Sequence, residues 1–344
     1  MKKSIPADRD KAEKKGLRDS PASTGSRWDG EANADIKPLV PVACLPQEFR
    51  PCKPAQGPKT KLKIMKGSII PVFKKWWLIA GLFLPFALAA QPTESSKETA
   101  FAGGERLVYA ISYKVGIVHS DVAEVTFQTT LERFGTQKAY RIEANGKTYP
   151  FFNWFFNLDD TYISRLDAET LRPLDLQIEI REGGYRVSSG YHYDWPQKKV
   201  STFFFNHKRA DSSHHVMTLQ ENSFDAVALF FNLRCENIDL FKEGENRTLH
   251  MVLSDTIRTI RYRFVGREKK NIKDLGKFNT LKFVCQLATS DGESFKDGSE
   301  FTLWISDDKN KIPLYIESPI RVGSIRGRLL HAEKLKYPLE SMIR

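Results

Sequence analysis

Cysteine is scarce in this chain, with four in 344 residues, and no two stand at C-x-x-C spacing. That excludes a zinc ribbon, a thioredoxin-type redox pair and a disulfide-dense scaffold. Cys44 and Cys52 fall early, which leaves Cys235 and Cys285; buried thiols are the favoured expectation for them over a single disulfide. Catalytic signatures are missing too. There is no G-x-S-x-G elbow and no H-E-x-x-H. Asn145-Gly146-Lys147-Thr148 resembles the end of a phosphate loop, but Arg141 stands where the first glycine belongs, and the segment closes a strand pattern instead of opening a helix. His214 and His215 are adjacent, so on a strand they point to opposite faces and do not share a metal. Asp307 and Asp308 read as turn acids that accept backbone N–H bonds, and the acidic stretch 291–300 lacks calcium-loop spacing. No metal and no cofactor is expected.

Long apolar runs are also absent; a membrane-spanning helix needs about 20 such residues. The nearest approach, Trp76 to Phe86, is interrupted by Pro85. Lys74 and Lys75 precede it and Ala87-Leu88-Ala89 follows, the three parts of a secretory signal, with cleavage near Ala89 or Ala90. The periplasm is the expected location; the alternative is an inner-membrane anchor formed by 76–90 with its cations inside. Met65 offers a start for a signal at 65–90. Residues 1–64 then form an extension, rich in Lys, Pro, Ser and Asp, with a composition that stays disordered. A flexible linker over 91–103, one β-rich domain over 104–337 and a tail over 338–344 complete the expected organisation. Two sub-halves of the domain would meet near 206–220.

The formal charge of +11 sits mostly in the leader: residues 1–90 carry 17 Lys and Arg against 8 acids, and residues 91–344 carry 36 against 34. The domain itself therefore has no electrostatic reason to bind nucleic acid.

What the domain does have is alternation. Leu174, Leu176, Ile178 and Ile180 alternate with Asp175, Gln177 and Glu179; Ile260, Tyr262 and Phe264 alternate with Thr259, Arg261 and Arg263; Leu281, Phe283, Cys285 and Leu287 follow the same period of two. Turn residues punctuate these runs at Gly135, Gly183-Gly184, Asp194 to Pro196, Gly244 and Asp307 to Asn310. The pattern predicts a mostly β fold, a curved antiparallel sheet of about a dozen strands, as a half-barrel or open barrel. One segment differs. Ser223 to Arg234 predicts a helix with Ser223 as its cap, Asp225 in its first turn and Arg234 in its last, where the cation suits the dipole. Its apolar interior calls for burial across the concave side of the sheet. Phe301, Leu303 and Ile305 lead into a turn at 307–310, and Ile312, Leu314 and Ile316 are expected to return on the same side.

The first-strand sequence Glu105 to Ile117, the helix at 223–234, and Phe301 to Asp308 followed by Ile312-Pro313-Leu314 and Gly323 resemble the exported bacterial family known as domain of unknown function 3108. The resemblance covers nearly all of residues 100–337 and rests on structural patterns; His119-Ser120-Asp121 departs from it, standing where the family usually carries a second glycine. It implies an exported β-rich domain of a Gram-negative envelope with no established activity. A weaker fold-level analogy is to the half-barrel carriers of lipoproteins, whose curved sheet holds acyl chains over a helix lid.

Aromatic side chains are plentiful. Phe151-Phe152-Asn153-Trp154-Phe155-Phe156 and Phe203-Phe204-Phe205 are apolar on both faces. The expectation is that they pack under the helix or between sheet layers; the alternative is that some line a cavity or a membrane-facing rim. The leading functional reading is a non-catalytic envelope protein that binds or carries a hydrophobic ligand, lipid or lipoprotein, on Ile260, Tyr262, Phe264, Phe283, Leu303, Phe230 and Phe231. The alternative is an envelope assembly or scaffold factor binding protein partners, and the third is a hydrolase with an unrecognised Ser/His/Asp site.

Overall fold

The period-two segments fold as strands, and their turns keep successive strands antiparallel neighbours. The computed structural model describes residues 98–115, 118–154, 156–288, 300–320 and 323–344. Residues 1–97, where the extension and the signal are expected, and most of the acidic stretch at 291–300 lie outside them. From the N-terminal side the chain forms β1 (Arg106–Val115), β2 (Val118–Phe134), β3 (Gln137–Thr148), β4 (Asp159–Asp167), β5 (Pro173–Glu182), β6 (Tyr185–Asp194), β7 (Lys199–Asn206) and β8 (Asp211–Thr218). After the short β9 (Ser223–Phe224) comes one α-helix, α1 (Ala226–Arg234). A second run follows: β10 (Asn246–Val252), β11 (Ile257–Ile272), β12 (Gly276–Leu287), β13 (Glu300–Ser306), β14 (Pro313–Pro319), β15 (Ser324–Glu333) and β16 (Met342–Ile343).

All sixteen strands belong to one open, curved sheet in the order β8 to β1, then β15 down to β9, with β16 on β12. The chain thus begins in the middle, meanders out to β8, crosses to the opposite end, and meanders back until β15 pairs with β1, Tyr109 opposite Leu329. The sheet does not close into a barrel; its two ends touch where the Thr202 hydroxyl of β7 donates to the Ser254 carbonyl after β10. A bulge between Phe264 and Gly266 bends the long β11. Gly266 adopts φ +140° there, a conformation that side chains resist.

Several expectations are corrected in detail. The count exceeds a dozen because β9 and β16 are two residues long and β8 (DSSHHVMT) carries no apolar alternation. Residues 206–220, the expected meeting of sub-halves, are the end of β7 and the edge strand β8. The helix is capped by Asp225, whose carboxylate accepts from Ala228 N at 2.8 Å. Ser223 lies in β9, its hydroxyl accepting from Gln220 N at 3.1 Å. A bulge between Trp304 and Ile305 shifts the return strand, so Leu303 faces Ile316, while Ile312 and Leu314 pack in the neighbouring cluster with Ile111 and Leu329. The departure at 119–121 is absorbed inside β2, where Asp121 accepts from Ser112 and Arg328. Residues 98–103 are docked: Phe101 is fully buried 4.9 Å from Phe231, and Lys336 donates to the Thr99 carbonyl. Nor do residues 338–344 hang free, since Met342 and Ile343 pair with β12 and the Ser341 hydroxyl donates to Asp308 at 2.6 Å.

The crossover from β8 to β10 explains the helix. A connection laid over a curved apolar face must itself be apolar on most sides. Val227, Ala228 and Phe231 are accordingly buried in the core, while the Ser164 hydroxyl donates to Asp225 and Asn232 donates to the Leu171 carbonyl, tying α1 to β4 and the turn after it.

Candidate ligand cavity

The side chains of α1 fill most of the concave space and leave a cavity of about 100 Å³, part-way open to solvent. From α1 it is lined by Ala226, Leu229, Phe230, Leu233 and Arg234, and from β1 and β2 by Tyr109, Ile111 and Phe127. The second run supplies Leu249, Met251, Ile260, Tyr262, Cys285, Phe301, Leu303, Ile305, Pro313, Tyr315, Ile316 and Gly327. Phe127 stacks on Phe230 with ring centres 4.7 Å apart, and Tyr109 meets Phe230 edge-on at 6.1 Å. Gly327 is bare wall: a Cβ there would sit 2.6 Å from Cγ2 of Ile316.

Histidine, serine, threonine, aspartate and glutamate are all missing from this lining. Burial pushes the Cys285 thiol up to about 12, so it stays a neutral, poorly nucleophilic thiol. The wall is otherwise apolar, interrupted by the Tyr109, Tyr262 and Tyr315 side chains. It can solvate apolar matter.

One charged group reaches the wall. Arg234 is fully buried, and its Nη1 and Nη2 donate to the two oxygens of the equally buried Glu105 at 2.5 and 2.9 Å, while Nε donates to the Asn310 carbonyl at 3.1 Å. Burial works against the guanidinium charge, but the Glu105 carboxylate outweighs it and holds Arg234 above its ordinary range. The sequence-level role of Arg234 as a dipole partner is therefore secondary to a buried ion pair that closes the helix onto the start of β1. Beside it the Tyr109 hydroxyl has no partner among the described residues, and burial drives its pKa far up.

Of the seven residues expected to form a ligand face, Phe230, Ile260, Tyr262 and Leu303 line the cavity. Phe283 walls a second space of about 10 Å³ with Tyr262 and Leu303, barely room for one water. Phe264 packs on Phe283 at 5.4 Å and reaches neither space. Phe231 lies beneath the helix against Phe101 and Phe127. Sequence reasoning missed Tyr109, Ile111, Phe127 and the β14 and β15 residues. Leu107, Tyr109 and Ile111 do alternate, but nothing local says that β1 lies beside β15.

The aromatic runs take no part in this wall. Phe151 and Trp154 are exposed in the loop between β3 and β4, and Phe203 is half-exposed beside His214. Phe151, Trp154 and Phe203 do not pack in the core as expected, because they sit beyond the end of β3 and on the edge hairpin, whereas Phe156 does pack against it.

A second buried polar group stands at the mouth of that loop. Asp160 on β4 and Glu182 at the end of β5 are both buried; Arg181 N donates to Asp160 Oδ1 at 2.9 Å, and the two carboxyls lie within hydrogen-bonding reach of one another, so a proton held by one serves the other. Burial, reinforced by the Asp160 charge, raises Glu182 to about 8, and burial raises Asp160 to about 6; burial likewise lifts Asp225 to about 6. Acids raised on folding hold protons that the unfolded chain has lost, so their stabilising effect is complete below the unfolded values near 4 and is lost as pH climbs towards 8. Urea unfolding should therefore show stability falling steadily between pH 5 and pH 8, and Glu182→Gln should make that slope shallower.

No curated protein matches the chain. Among solved structures it is similar to a beta-barrel-like protein of domain of unknown function DUF1849 from Brucella abortus, at 9% identity and a TM-score of 0.46, covering 68% of this chain and 98% of that one. The model of the family described as "Protein of unknown function (DUF3108)" matches residues 108–329, from β1 through α1 to β15, and the chain belongs to that family.

Proposed function

We propose that the domain is a non-catalytic binder of an apolar ligand, a lipid chain or the acyl group of a lipoprotein, held between α1 and the sheet, and that it works in the periplasm. The cavity lining is the observation that carries this: almost wholly apolar, aromatic at one end, without a catalytic group. The signal pattern at 74–90 is the support for the location.

Size sets the terms of binding. A dry cavity of about 150 Å³ takes a benzene ring, so a space of about 100 Å³ admits the end of a chain while α1 stays in place. A full acyl chain requires Leu229, Phe230 and Leu233 to swing aside. Each buried methylene contributes about 0.8 kcal/mol, so roughly ten of them reach the micromolar range. Titration with a fluorescent fatty acid should give saturable, micromolar binding to the full chain, displaced by an unlabelled fatty acid of similar length. Non-saturating uptake, or none, would contradict the reading.

A second reading draws on the sheet edge. β8 pairs with β7 on one side and has no strand on the other among the described residues, so a partner strand could add there in an assembly role. Its polar, histidine-bearing sequence is poorer in apolar anchors than the cavity, which ranks this reading second.

A further inference from the structure

The β3–β4 loop holds two large aromatic side chains out in water, Phe151 at 76% and Trp154 at 81% exposure. Neither serves the cavity, and leaving a phenylalanine exposed forgoes about 1.5–3 kcal/mol of burial. The loop is tied down rather than slack. Tyr149 N donates to the Val122 carbonyl at 3.0 Å, Phe152 N to the Tyr149 carbonyl at 2.8 Å and Phe156 N to the Phe152 carbonyl at 2.9 Å, so a fixed turn presents the rings. No charged residue occurs from Thr148 to Leu158.

Cations lie beside this uncharged tip, on the turns towards β8. Gly183 N donates to the Asn157 carbonyl, which joins the β5–β6 turn to the loop, and His207 N donates to the Arg186 carbonyl, which joins the β7–β8 turn to both. Arg181, Arg186 and Lys208 are exposed along this end. Most acids nearby are engaged: Asp159 pairs with Lys147, Asp211 with Arg209 and Asp121 with Arg328, Asp160 and Glu182 are buried, and Glu124, whose charge acts on Tyr149 at the start of the loop, is half-buried. An uncharged aromatic tip flanked on one side by exposed cations that have no ion-pair partner among the described residues is the arrangement that suits a lipid interface, where tryptophan sits at headgroup level and basic side chains meet anionic phosphates.

We propose that this end of the sheet docks reversibly on an anionic phospholipid surface, with Phe151 and Trp154 entering the interface and Arg181, Arg186 and Lys208 facing the headgroups. A single loop inserts weakly, so electrostatic attraction decides whether it binds.

The test uses the full chain and vesicles of phosphatidylcholine with about 30 mol % phosphatidylglycerol, their acyl chains brominated. Emission from Trp154 is taken as the difference between the wild type and Trp154→Phe, so that the contributions of Trp28, Trp76, Trp77, Trp195 and Trp304 cancel. The expected result is a blue shift with about two-fold or greater quenching, lost on pure phosphatidylcholine, at about 0.5 M salt, and in Arg186→Glu/Lys208→Glu. Phe151→Ser should weaken it with no change in melting temperature. Trp154 emission that is unaffected by anionic vesicles would overturn the proposal. So would a shift that follows protein concentration without vesicles, which would assign the surface to a second copy of the chain.

Discussion

Glu105→Ala is expected to cost about 3–5 kcal/mol of stability, the largest effect of any single polar substitution in the domain, because it leaves the fully buried Arg234 guanidinium without its countercharge. The loss should reach α1 first, since Arg234 ends that helix and also holds the Asn310 carbonyl of the β13–β14 turn. Urea unfolding of Glu105→Ala, Arg234→Met and the double variant Glu105→Leu/Arg234→Met separates the terms. Each single variant should be strongly destabilised, whereas the double variant should recover most of the loss, since an apolar pair needs no desolvation of charge. If Glu105→Ala unfolds at the wild-type urea concentration, the pair does not hold the helix to the sheet.

Leu229→Trp is expected to lower the affinity for a fluorescent fatty acid at least about ten-fold while costing only about 1–3 kcal/mol of stability. Leu229 is half-buried on the cavity side of α1, so the added ring atoms enter the space a ligand would use. Gly327→Ala is an independent route, for it drives Ile316 towards the same space. Phe264→Ala is the control: it should cost about 3–5 kcal/mol through lost packing on Phe283 yet leave affinity unchanged in the folded protein. Should Leu229→Trp bind as well as the wild type, the ligand lies elsewhere.

These variants also mark where the sequence is legible. Ile260, Tyr262 and Phe264 declare a strand with one buried face, because alternation is a local property. That Ile260 and Tyr262 face the cavity while Phe264, on the same face, packs beyond it on Phe283 depends on how far α1 reaches along β11, which no window of residues contains. The helix was legible from its apolar run, but Ser223 and Asp225 are both good caps, and only the pairing of β9 with β10 chooses between them. Arg234 at a helix end looks like a dipole partner; its real partner, Glu105, stands 129 residues earlier. About a third of the cavity wall, the residues of β1, β2, β14 and β15, was out of reach for the same reason, since β1 meets β15 across more than 200 residues. The run at 151–156 misled because apolarity alone resembles a core strand, and only its position beyond the end of β3 shows that Phe151 and Trp154 face solvent while Phe156 turns back onto the core.

Mass spectrometry of organic extracts from the protein, purified without detergent from its own cells, tests the central claim most directly. The expected result is a lipid or acylated species at near-stoichiometric amount in the wild type and depleted in Leu229→Trp purified in parallel. Folded wild-type protein that yields no such species, and takes up no fatty acid afterwards, would contradict the claim and leave the space between α1 and the sheet as a packing defect.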